Sequence, residues 1–261
     1  MVDTQTAMIT GASGGIGLEL ARLFAADGWR VVLVARRREA LEEVAAELSE
    51  KQGVEAIVLP ADLADPTAPE VIFAELNKRG ILLDALVNNA GFATYGFFAE
   101  NDPREELGEL QVNVVALTQL TKLFLRQKQG KGRGYVLNLA STAAFLPGPL
   151  MAVYYASKAY VLSFSQAIAN ELQGTDITVT ALCPGPVATG FQVRAGLNDT
   201  GLLRFGALSA AAVARIGYRA MLAGKSVVIA GVMNSITAWM CKIFPSSWTA
   251  ASARKVQETR K

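Results

Sequence analysis

The stretch Thr6-Ala-Met-Ile-Thr10-Gly11-Ala-Ser-Gly-Gly-Ile-Gly17 decides the fold. It joins a short apolar run to a glycine-rich loop, and the helical pattern LELARLFAADG follows at once. Glycines let the backbone approach a pyrophosphate closely, and a helix N-terminus offers free N–H groups and a positive dipole end. The order strand, loop, helix therefore predicts a nucleotide-binding unit, with candidate contacts at Gly11, Ser13, Gly15, Ile16 and Gly17.

Two other motifs share parts of this pattern, and an ordinary tight turn is the simplest alternative for the loop alone. Residues 11–15 also fit the G-x-S-x-G turn of α/β hydrolases, but the chain has no histidine to act as its general base. Gly224-Lys225-Ser226 ends like a phosphate-binding P-loop. However, Arg219 replaces its first glycine and an apolar strand pattern follows, so both motifs are rejected.

Working outward, short apolar runs alternate with helical patterns along most of the chain. Near-continuous Val/Ile/Leu runs between helices predict an α/β fold, a Rossmann-type doubly wound parallel sheet of about seven strands with helices on both faces. We expect residues 1–231 to form a single dinucleotide-binding and catalytic domain and residues 232–261 a C-terminal helical extension. The predicted strands are 6–10, 30–35, 54–59, 83–88, 134–140, 176–182 and 226–231, and the predicted helices are 15–28, 37–51, 66–79, 103–128, 154–173 and 209–223.

Composition excludes several kinds of chemistry. The 261 residues include no histidine, which excludes a Ser-His-Asp triad, a Cys-His pair and a His-ligated zinc site, and we expect no metal. The net charge of +2 gives no broad surface for nucleic acid. The local basic run Arg126, Lys128, Lys131 and Arg133 is expected to be a solvated loop.

The two cysteines, Cys183 and Cys241, match no CxxC spacing, which favours free thiols in a reducing compartment. The first ten residues have neither a basic region nor a long apolar run, so they do not resemble a signal peptide. We therefore expect a cytoplasmic protein.

The end of the second predicted strand bears on the choice of cofactor. Arg36 and Arg37 stand where an NAD site places an acidic residue on the ribose 2′-hydroxyl. Arginine suits a 2′-phosphate instead, through its charge and paired donors, so NADP is expected over NAD. The alternative is that these arginines are surface residues at the start of a helix and do not contact the cofactor.

Tyr154 and Lys158 form a Tyr-x-x-x-Lys pair at the start of a helical pattern, one turn apart on the same face. At about 4 Å and an effective dielectric near 20, an ammonium attracts a phenolate by roughly 4 kcal/mol, an upper bound. We therefore expect the Tyr154 pKa to fall from about 10 towards 7, where a phenol serves acid–base catalysis.

Taken together, these motifs resemble the short-chain dehydrogenase/reductase family over roughly residues 5–231. The resemblance is carried by Thr10 to Gly17, Asn88-Asn89-Ala90-Gly91, Ser141, Tyr154 with Lys158, and Pro184-Gly185, in the family's order and spacing. One departure is Gly14, where NADP-binding members often have a basic residue. The NADP prediction therefore depends on Arg36 and Arg37.

The resemblance implies roles for individual residues. Tyr154 would be the general acid or base, Ser141 would hydrogen-bond the substrate oxygen, and Lys158 would bind the nicotinamide ribose. Asn113 would hold a water in the proton relay; its alternative is to satisfy a backbone group. The remaining cofactor contacts that the resemblance implies are Asp62, Leu63, Asn89, Ala90, Gly91, Pro184, Gly185 and Thr189. Of these, Asp62 could instead cap a strand end, and Thr189 could instead cap a helix.

The expected function is therefore an NAD(P)-dependent oxidoreductase that interconverts a ketone and a secondary alcohol, with a non-catalytic nucleotide-binding regulator as the alternative. Aromatic and leucine side chains after Gly91 and after Pro184 suggest an apolar acyl, steroid-like or aryl ketone, unless they are lid and core packing. The candidates are Phe92, Tyr95, Phe97, Phe98, Phe191, Leu197, Leu202, Leu203 and Phe205.

Apolar faces predict partners. Helices 103–128 and 154–173 keep apolar faces that the resemblance implies pair between subunits, as a homodimer or homotetramer. Residues 232–244 form a second apolar face with helical spacing, ended by Pro245. We expect this helix to cover the substrate cleft or a partner subunit, with peripheral membrane contact as the alternative.

Overall fold

The computed structural model of the chain describes residues 4–187 and 208–258. Within these ranges seven parallel strands form one sheet in the order β3-β2-β1-β4-β5-β6-β7, which confirms the predicted fold class. The strands are β1 (Thr6–Thr10), β2 (Arg30–Ala35), β3 (Ala56–Pro60), β4 (Ala85–Asn88), β5 (Gly134–Leu139), β6 (Ile177–Pro184) and β7 (Val227–Ala230).

Helices cover both faces of this sheet because alternate strand side chains point to opposite sides. In β1, Ala7 and Ile9 pack under α1, α2 and α7, whereas Met8 packs on the other side under α3, α5 and α6. The helices are α1 (Gly15–Ala26), α2 (Arg38–Gln52), α3 (Ala68–Lys78), α4 (Pro103–Leu110), α5 (Leu117–Lys128), α6 (Ala152–Glu171), α7 (Ala210–Leu222), α8 (Val232–Ile243) and α9 (Ser246–Gln257).

Two helical segments differ from the prediction. The single helix expected over 103–128 is divided, because a π-helical segment, Gln111–Ala116, separates α4 from α5. Apolar periodicity does not distinguish this local widening from a regular helix, and such insertions often occur at functional sites. The chain also forms a second helix, α9, directly after the predicted helix end at Pro245, within the predicted helical extension 232–261.

The basic run is only partly a solvated loop. Arg126, Lys131 and Arg133 are exposed as expected, but Lys128 is buried at the end of α5. Its ammonium pairs with the Asp84 carboxylate at 2.6 Å. The expectation for Lys128 was wrong because its partner lies 44 positions away in sequence.

Helix α8 forms where predicted, but it turns its apolar side away from the rest of the chain. The inward side carries Asn234, Ala238 and Cys241, and Ala238 is only 2% exposed. The apolar side of α8 therefore does not cover the substrate cleft of its own chain, and its coverage by a partner subunit, the other part of that prediction, stays a prediction. We call the outward residues the C-terminal apolar face: Val232, Met233, Ile236, Trp239, Met240 and Ile243, continued by Phe244 and Trp248.

The topology fixes where a ligand can bind. All seven strands are parallel, so their carboxyl ends meet at one edge, and the strand order reverses between β1 and β4. A crevice opens at such a switch point. In the described ranges no helix combines the length and apolarity needed to cross a bilayer.

Candidate active site

A cleft of about 750 Å³ opens at the carboxyl ends of the strands. Of the predicted site residues, Gly17 and Asn113 do not line it, and Thr189 lies outside the described residues, as do Phe191, Leu197, Leu202, Leu203 and Phe205. The cleft brings together the remaining predicted residues: Gly11, Ser13, Gly15, Ile16, Arg36, Arg37, Asp62, Leu63, Asn89, Ala90, Gly91, Ser141, Tyr154, Lys158, Pro184 and Gly185.

The glycine loop is built for close backbone approach. Gly11 has a left-handed φ of 66°, and a Cβ on it would lie 2.7 Å from the Asn89 amide nitrogen. A Cβ on Gly17 would lie 2.3 Å from the Gly11 carbonyl oxygen. Gly17 thus acts from behind the loop, and it lets α1 start directly against the strand.

Polar contacts hold this loop against the end of β4. The Thr10 hydroxyl accepts hydrogen bonds from the backbone N–H groups of Asn89 and Ala90, both at 3.0 Å. The Asn89 amide donates to the Thr10 carbonyl at 2.9 Å. Asn88, by contrast, points into the interior, where it donates to Thr121 and Asn138. Asn88 therefore lies behind the cleft and does not line it.

The other end of the cleft carries the basic pair. Arg36 and Arg37 follow β2 directly, and both are exposed. Arg38 instead faces Glu42 on α2 at 3.7 Å. Asp62 follows β3 and accepts a hydrogen bond from the Ala64 N–H at 3.0 Å, so it caps a turn as well as lining the cleft. The cleft thus offers a tight glycine cradle at one point and guanidinium groups at another, which fits a dinucleotide with an extra phosphate.

Three polar side chains converge at the opposite end, where β5 and α6 meet. Ser141 follows β5, and its hydroxyl accepts from the Ala143 N–H at 3.1 Å and hydrogen-bonds the Tyr154 phenol. Lys158 lies one helical turn after Tyr154, with its ammonium 5.7 Å from the Tyr154 ring centre. That ammonium donates to the Leu139 carbonyl at 2.8 Å.

The predicted fall in the Tyr154 pKa is not what this site shows. Desolvation raises the pKa of Tyr154 above its usual value, and the hydrogen bond from Ser141 opposes this only in part. Burial also lowers the pKa of Lys158 to about 8, although the Glu109 carboxylate opposes that shift. Our expectation was wrong because it counted the Lys–Tyr attraction and neglected the cost of burying both groups.

Asn113, in the π-helical segment, uses its side chain on the protein backbone. Its oxygen accepts from the Phe92 N–H at 3.1 Å, and its nitrogen donates to the Phe92 carbonyl at 2.9 Å and to Ser157 at 3.1 Å. A Cβ on Gly91 would lie 2.9 Å from this Asn113 oxygen and 3.5 Å from the Lys158 ammonium. Asn113 therefore fixes the chain beside Lys158, as its backbone-satisfying alternative proposed.

Sequence reasoning missed a buried carboxyl next to this group. Glu109 lies one helical turn before Asn113, is fully buried, and accepts from the Thr94 N–H at 2.8 Å and the Thr94 hydroxyl at 2.9 Å. Burial raises the pKa of Glu109 to about 7, while the Thr94 hydrogen bonds and the Lys158 charge oppose the shift. In the sequence, Glu109 is one of three glutamates in Glu105-Glu-Leu-Gly-Glu109, a pattern typical of an exposed helix.

A residue near the C-terminus, Gln257, contacts the substrate end of the cleft. Tyr155 lines the cleft, and the Gln257 amide donates to its hydroxyl, while the Tyr95 hydroxyl donates to the Gln257 carbonyl at 2.8 Å. Phe92 also lines the cleft, as predicted, but Phe97 and Phe98 are 52% and 67% exposed and do not. Nothing in the sequence pairs Gln257 with the catalytic helix, because 102 positions separate it from Tyr155.

Comparisons with known proteins identify the family that this chain resembles. The sequence model of the short chain dehydrogenase family matches residues 5–199. A Streptomyces coelicolor protein provisionally named a ketoacyl reductase is 38% identical over 189 residues, 72% of each chain. Human 17-beta-hydroxysteroid dehydrogenase type 3 is 33% identical over 71% of this chain, and the match spans only 60% of that protein. The solved short-chain dehydrogenase of Sphingobium yanoikuyae in complex with NADPH superposes with a TM-score of 0.81 at 28% identity, over 93% of this chain and 97% of that one.

Proposed function

This chain belongs to the short-chain dehydrogenase/reductase family, and on that premise we propose that it is an NADPH-dependent reductase of an apolar ketone. The observation that carries the proposal is the convergence of Ser141, Tyr154 and Lys158 in a cleft whose other end is a glycine cradle. The same three side chains argue against the alternative, a non-catalytic nucleotide-binding regulator.

In the proposed mechanism Tyr154 acts as a general acid. Because desolvation raises its pKa, the phenol keeps its proton at neutral pH and can donate it to a developing alkoxide. Ser141 hydrogen-bonds the same oxygen and positions the carbonyl beside Tyr154. NADPH would supply the hydride when bound; Lys158 would hold its ribose and stabilise charge near the phenol. Asn113, through Phe92 and Ser157, keeps this group aligned.

The proposed cofactor is NADP, with NAD the weaker ligand, because the glycine cradle and the two arginines fit a phosphorylated dinucleotide. A charged Arg–phosphate hydrogen bond contributes about 1.5–3 kcal/mol, or roughly 10- to 150-fold in affinity. Arg36→Asp should therefore weaken NADPH binding by at least that factor, and NADH binding should be kept or improved, because an acidic residue at this position suits a free ribose 2′-hydroxyl. Fluorescence titration of both cofactors tests this, with Arg38→Asp as the matched control. Equal wild-type affinities for the two cofactors would contradict it.

The proposed substrate is an apolar acyl, steroid-like or aryl ketone, because Phe92, Met151 and Tyr155 line the cleft beside Tyr154. A screen of purified protein with NADPH and NADH against these three ketone classes tests the function. Tight NADPH binding without turnover of any carbonyl would favour the regulator. Turnover of only small polar carbonyls would keep the reductase and contradict the apolar substrate.

We also propose a cytoplasmic enzyme that assembles as a homodimer or homotetramer, with residues 1–231 as its catalytic unit and 232–261 as an extension. Cys183 and Cys241 form no disulfide among the described residues, which supports a reducing compartment. On α4 to α6, Leu107 is 66% exposed and Tyr160 39% exposed, and this unpartnered apolar surface supports pairing between subunits. Sedimentation showing only monomer at micromolar protein would count against the assembly.

A further inference from the structure

A surface helix usually packs its apolar side on the protein, but α8 turns its apolar side, part of the C-terminal apolar face, outward. The six apolar residues of α8 fall at offsets 0, 1, 4, 7, 8 and 11, which places them within about a third of the helix circumference. Their side chains are 42–78% exposed, with Val232 at 78% and Trp239 at 65%. Meanwhile Asn234 on the opposite side donates to the Ala230 carbonyl at 2.6 Å. The protein body covers the polar side of α8, and the apolar side points outward.

The same face is unusually poor in negative charge. From Thr200 to Gln257 the sequence contains no Asp or Glu, and its basic residues in the last two helices are Lys242, Arg254 and Lys255. The first carboxylate after this stretch, Glu258, pairs with Arg254 at 2.7 Å. Two tryptophans, Trp239 and Trp248, are 65% and 64% exposed there. Exposed apolar side chains with tryptophans, in a segment where basic residues outnumber acidic ones, are typical of proteins that bind the surface of an anionic bilayer.

We infer that the C-terminal apolar face docks on an anionic lipid surface, with α8 lying in the membrane interface. A helix of 12 residues is about 18 Å long, too short for the roughly 30 Å hydrocarbon core, so α8 lies on the bilayer rather than crossing it. A second copy of the chain fits less well. A twofold contact brings the same basic patch of both copies together and offers it no opposite charge, since Glu258 is already paired with Arg254, whereas an anionic lipid surface does offer one.

The position of α9 connects this surface to the cleft. Arg254 lies 5.8 Å from the ring centre of the exposed Phe97, and Gln257, at the end of the same helix, contacts both Tyr95 and Tyr155. The C-terminal apolar face, to which Trp248 of α9 belongs, is therefore connected through α9 to Tyr155, which lines the cleft. This inference deepens the proposed function, because the purpose of the docking rests on the proposed apolar substrate. The docking itself does not depend on turnover.

Vesicle flotation tests the docking without measuring catalysis. The wild type should float with vesicles of phosphatidylcholine mixed with phosphatidylglycerol, and less with phosphatidylcholine alone. The triple variant Met233→Ser/Ile236→Ser/Trp239→Ser should lose at least about 10-fold in partitioning, because three apolar side chains no longer enter the interface. The matched control is Val71→Ser/Leu82→Ser, which removes side chains 62% and 51% exposed elsewhere and should float like the wild type.

Tryptophan fluorescence gives a second readout. Of the three tryptophans, Trp29 is buried at 6% exposure, so a blue shift on adding vesicles reports Trp239 and Trp248. Trp239→Phe should remove a large part of that shift. Flotation of the triple variant equal to the wild type would overturn the inference, as would absence of binding to either vesicle. If no vesicle binds and the wild type sediments as an oligomer that the triple variant dissociates, the face pairs two copies instead. NADPH turnover, measured separately, keeps failure of the docking distinct from failure of the proposed reductase.

Discussion

Glu109→Gln should change how the stability of this protein depends on pH. Glu109 is fully buried, its Oε2 accepts two hydrogen bonds from Thr94, and its Oε1 has no hydrogen-bond partner among the described residues. Burial raises its pKa from 4.5 to about 7. The folded chain therefore holds this proton more tightly than the unfolded chain between those two pH values.

The sign and size follow from this difference. Because the folded state binds more protons in that window, the stability that Glu109 contributes is present below about pH 4.5 and is lost as pH rises through about 7. Those two pKa values correspond to a loss of about 2.5 kcal/mol between pH 5 and pH 8, to order of magnitude. Glutamine has the same shape and cannot ionise, so the variant should lose that slope. Lys158, with a pKa lowered to about 8, adds pH dependence mainly above this window, where stability rises with pH.

The assay is denaturant unfolding of the wild type and Glu109→Gln at several pH values from 5 to 8. The comparison uses the slope of unfolding free energy against pH, since the buried amide has its own pH-independent cost. Thr94→Val is the informative partner variant. This variant removes a hydrogen bond that lowers the Glu109 pKa, so that pKa should rise further. Its loss of unfolding free energy between pH 5 and 8 should therefore be larger than that of the wild type. Equal slopes for the wild type and Glu109→Gln would refute the reasoning.

Two further results are expected. Tyr154→Phe should lower carbonyl reduction by at least about 10²-fold, the low end for a positioned acid–base group, with NADPH binding nearly intact, whereas Lys158→Ala should damage both. Steady-state kinetics with cofactor titration checks this pair, and retained turnover in Tyr154→Phe would rule out the proposed acid. Gly17→Ala should abolish or severely weaken cofactor binding, because its Cβ would lie 2.3 Å from the Gly11 carbonyl; Gly14→Ala, where a Cβ meets nothing within 4 Å, is its control in the same titration.

The sequence predicted most of the fold because the fold depends on local patterns. A parallel strand buried on both faces, such as β2, reads as a continuous apolar run, and the glycine loop marks where β1 ends. Every predicted strand is present, and the errors are shifts of one or two residues at the ends, as in β3 and β4. The π-helical segment was not predictable because it preserves the apolar spacing on which the helix assignment depended.

The site was predictable where motifs carry it and not where burial decides it. The Tyr-x-x-x-Lys spacing and the family resemblance predict Tyr154, Lys158 and Ser141, but the pKa directions of Tyr154 and Lys158 depend on how much protein surrounds them. In the sequence, Glu109 has the pattern of an exposed helix residue. In the fold, the loop that carries Thr94 covers it. Burial and long-range pairing are properties of the assembled chain, so neighbouring residues in sequence do not report them.

The electrostatics of the site follow from one arrangement of buried charge. Desolvation by itself would favour a neutral Lys158, and the Glu109 carboxylate is the main group that opposes it. The same carboxylate acts in the other direction on Tyr154, where it helps to keep the phenol protonated. A single buried acid thus favours both a charged Lys158 and a protonated Tyr154, the two states that the proposed reduction requires. The segment after β4 is anchored at two points, since the Thr94 N–H donates to Glu109 and the Phe92 N–H donates to Asn113. This charge balance is therefore coupled to the wall of the substrate cleft.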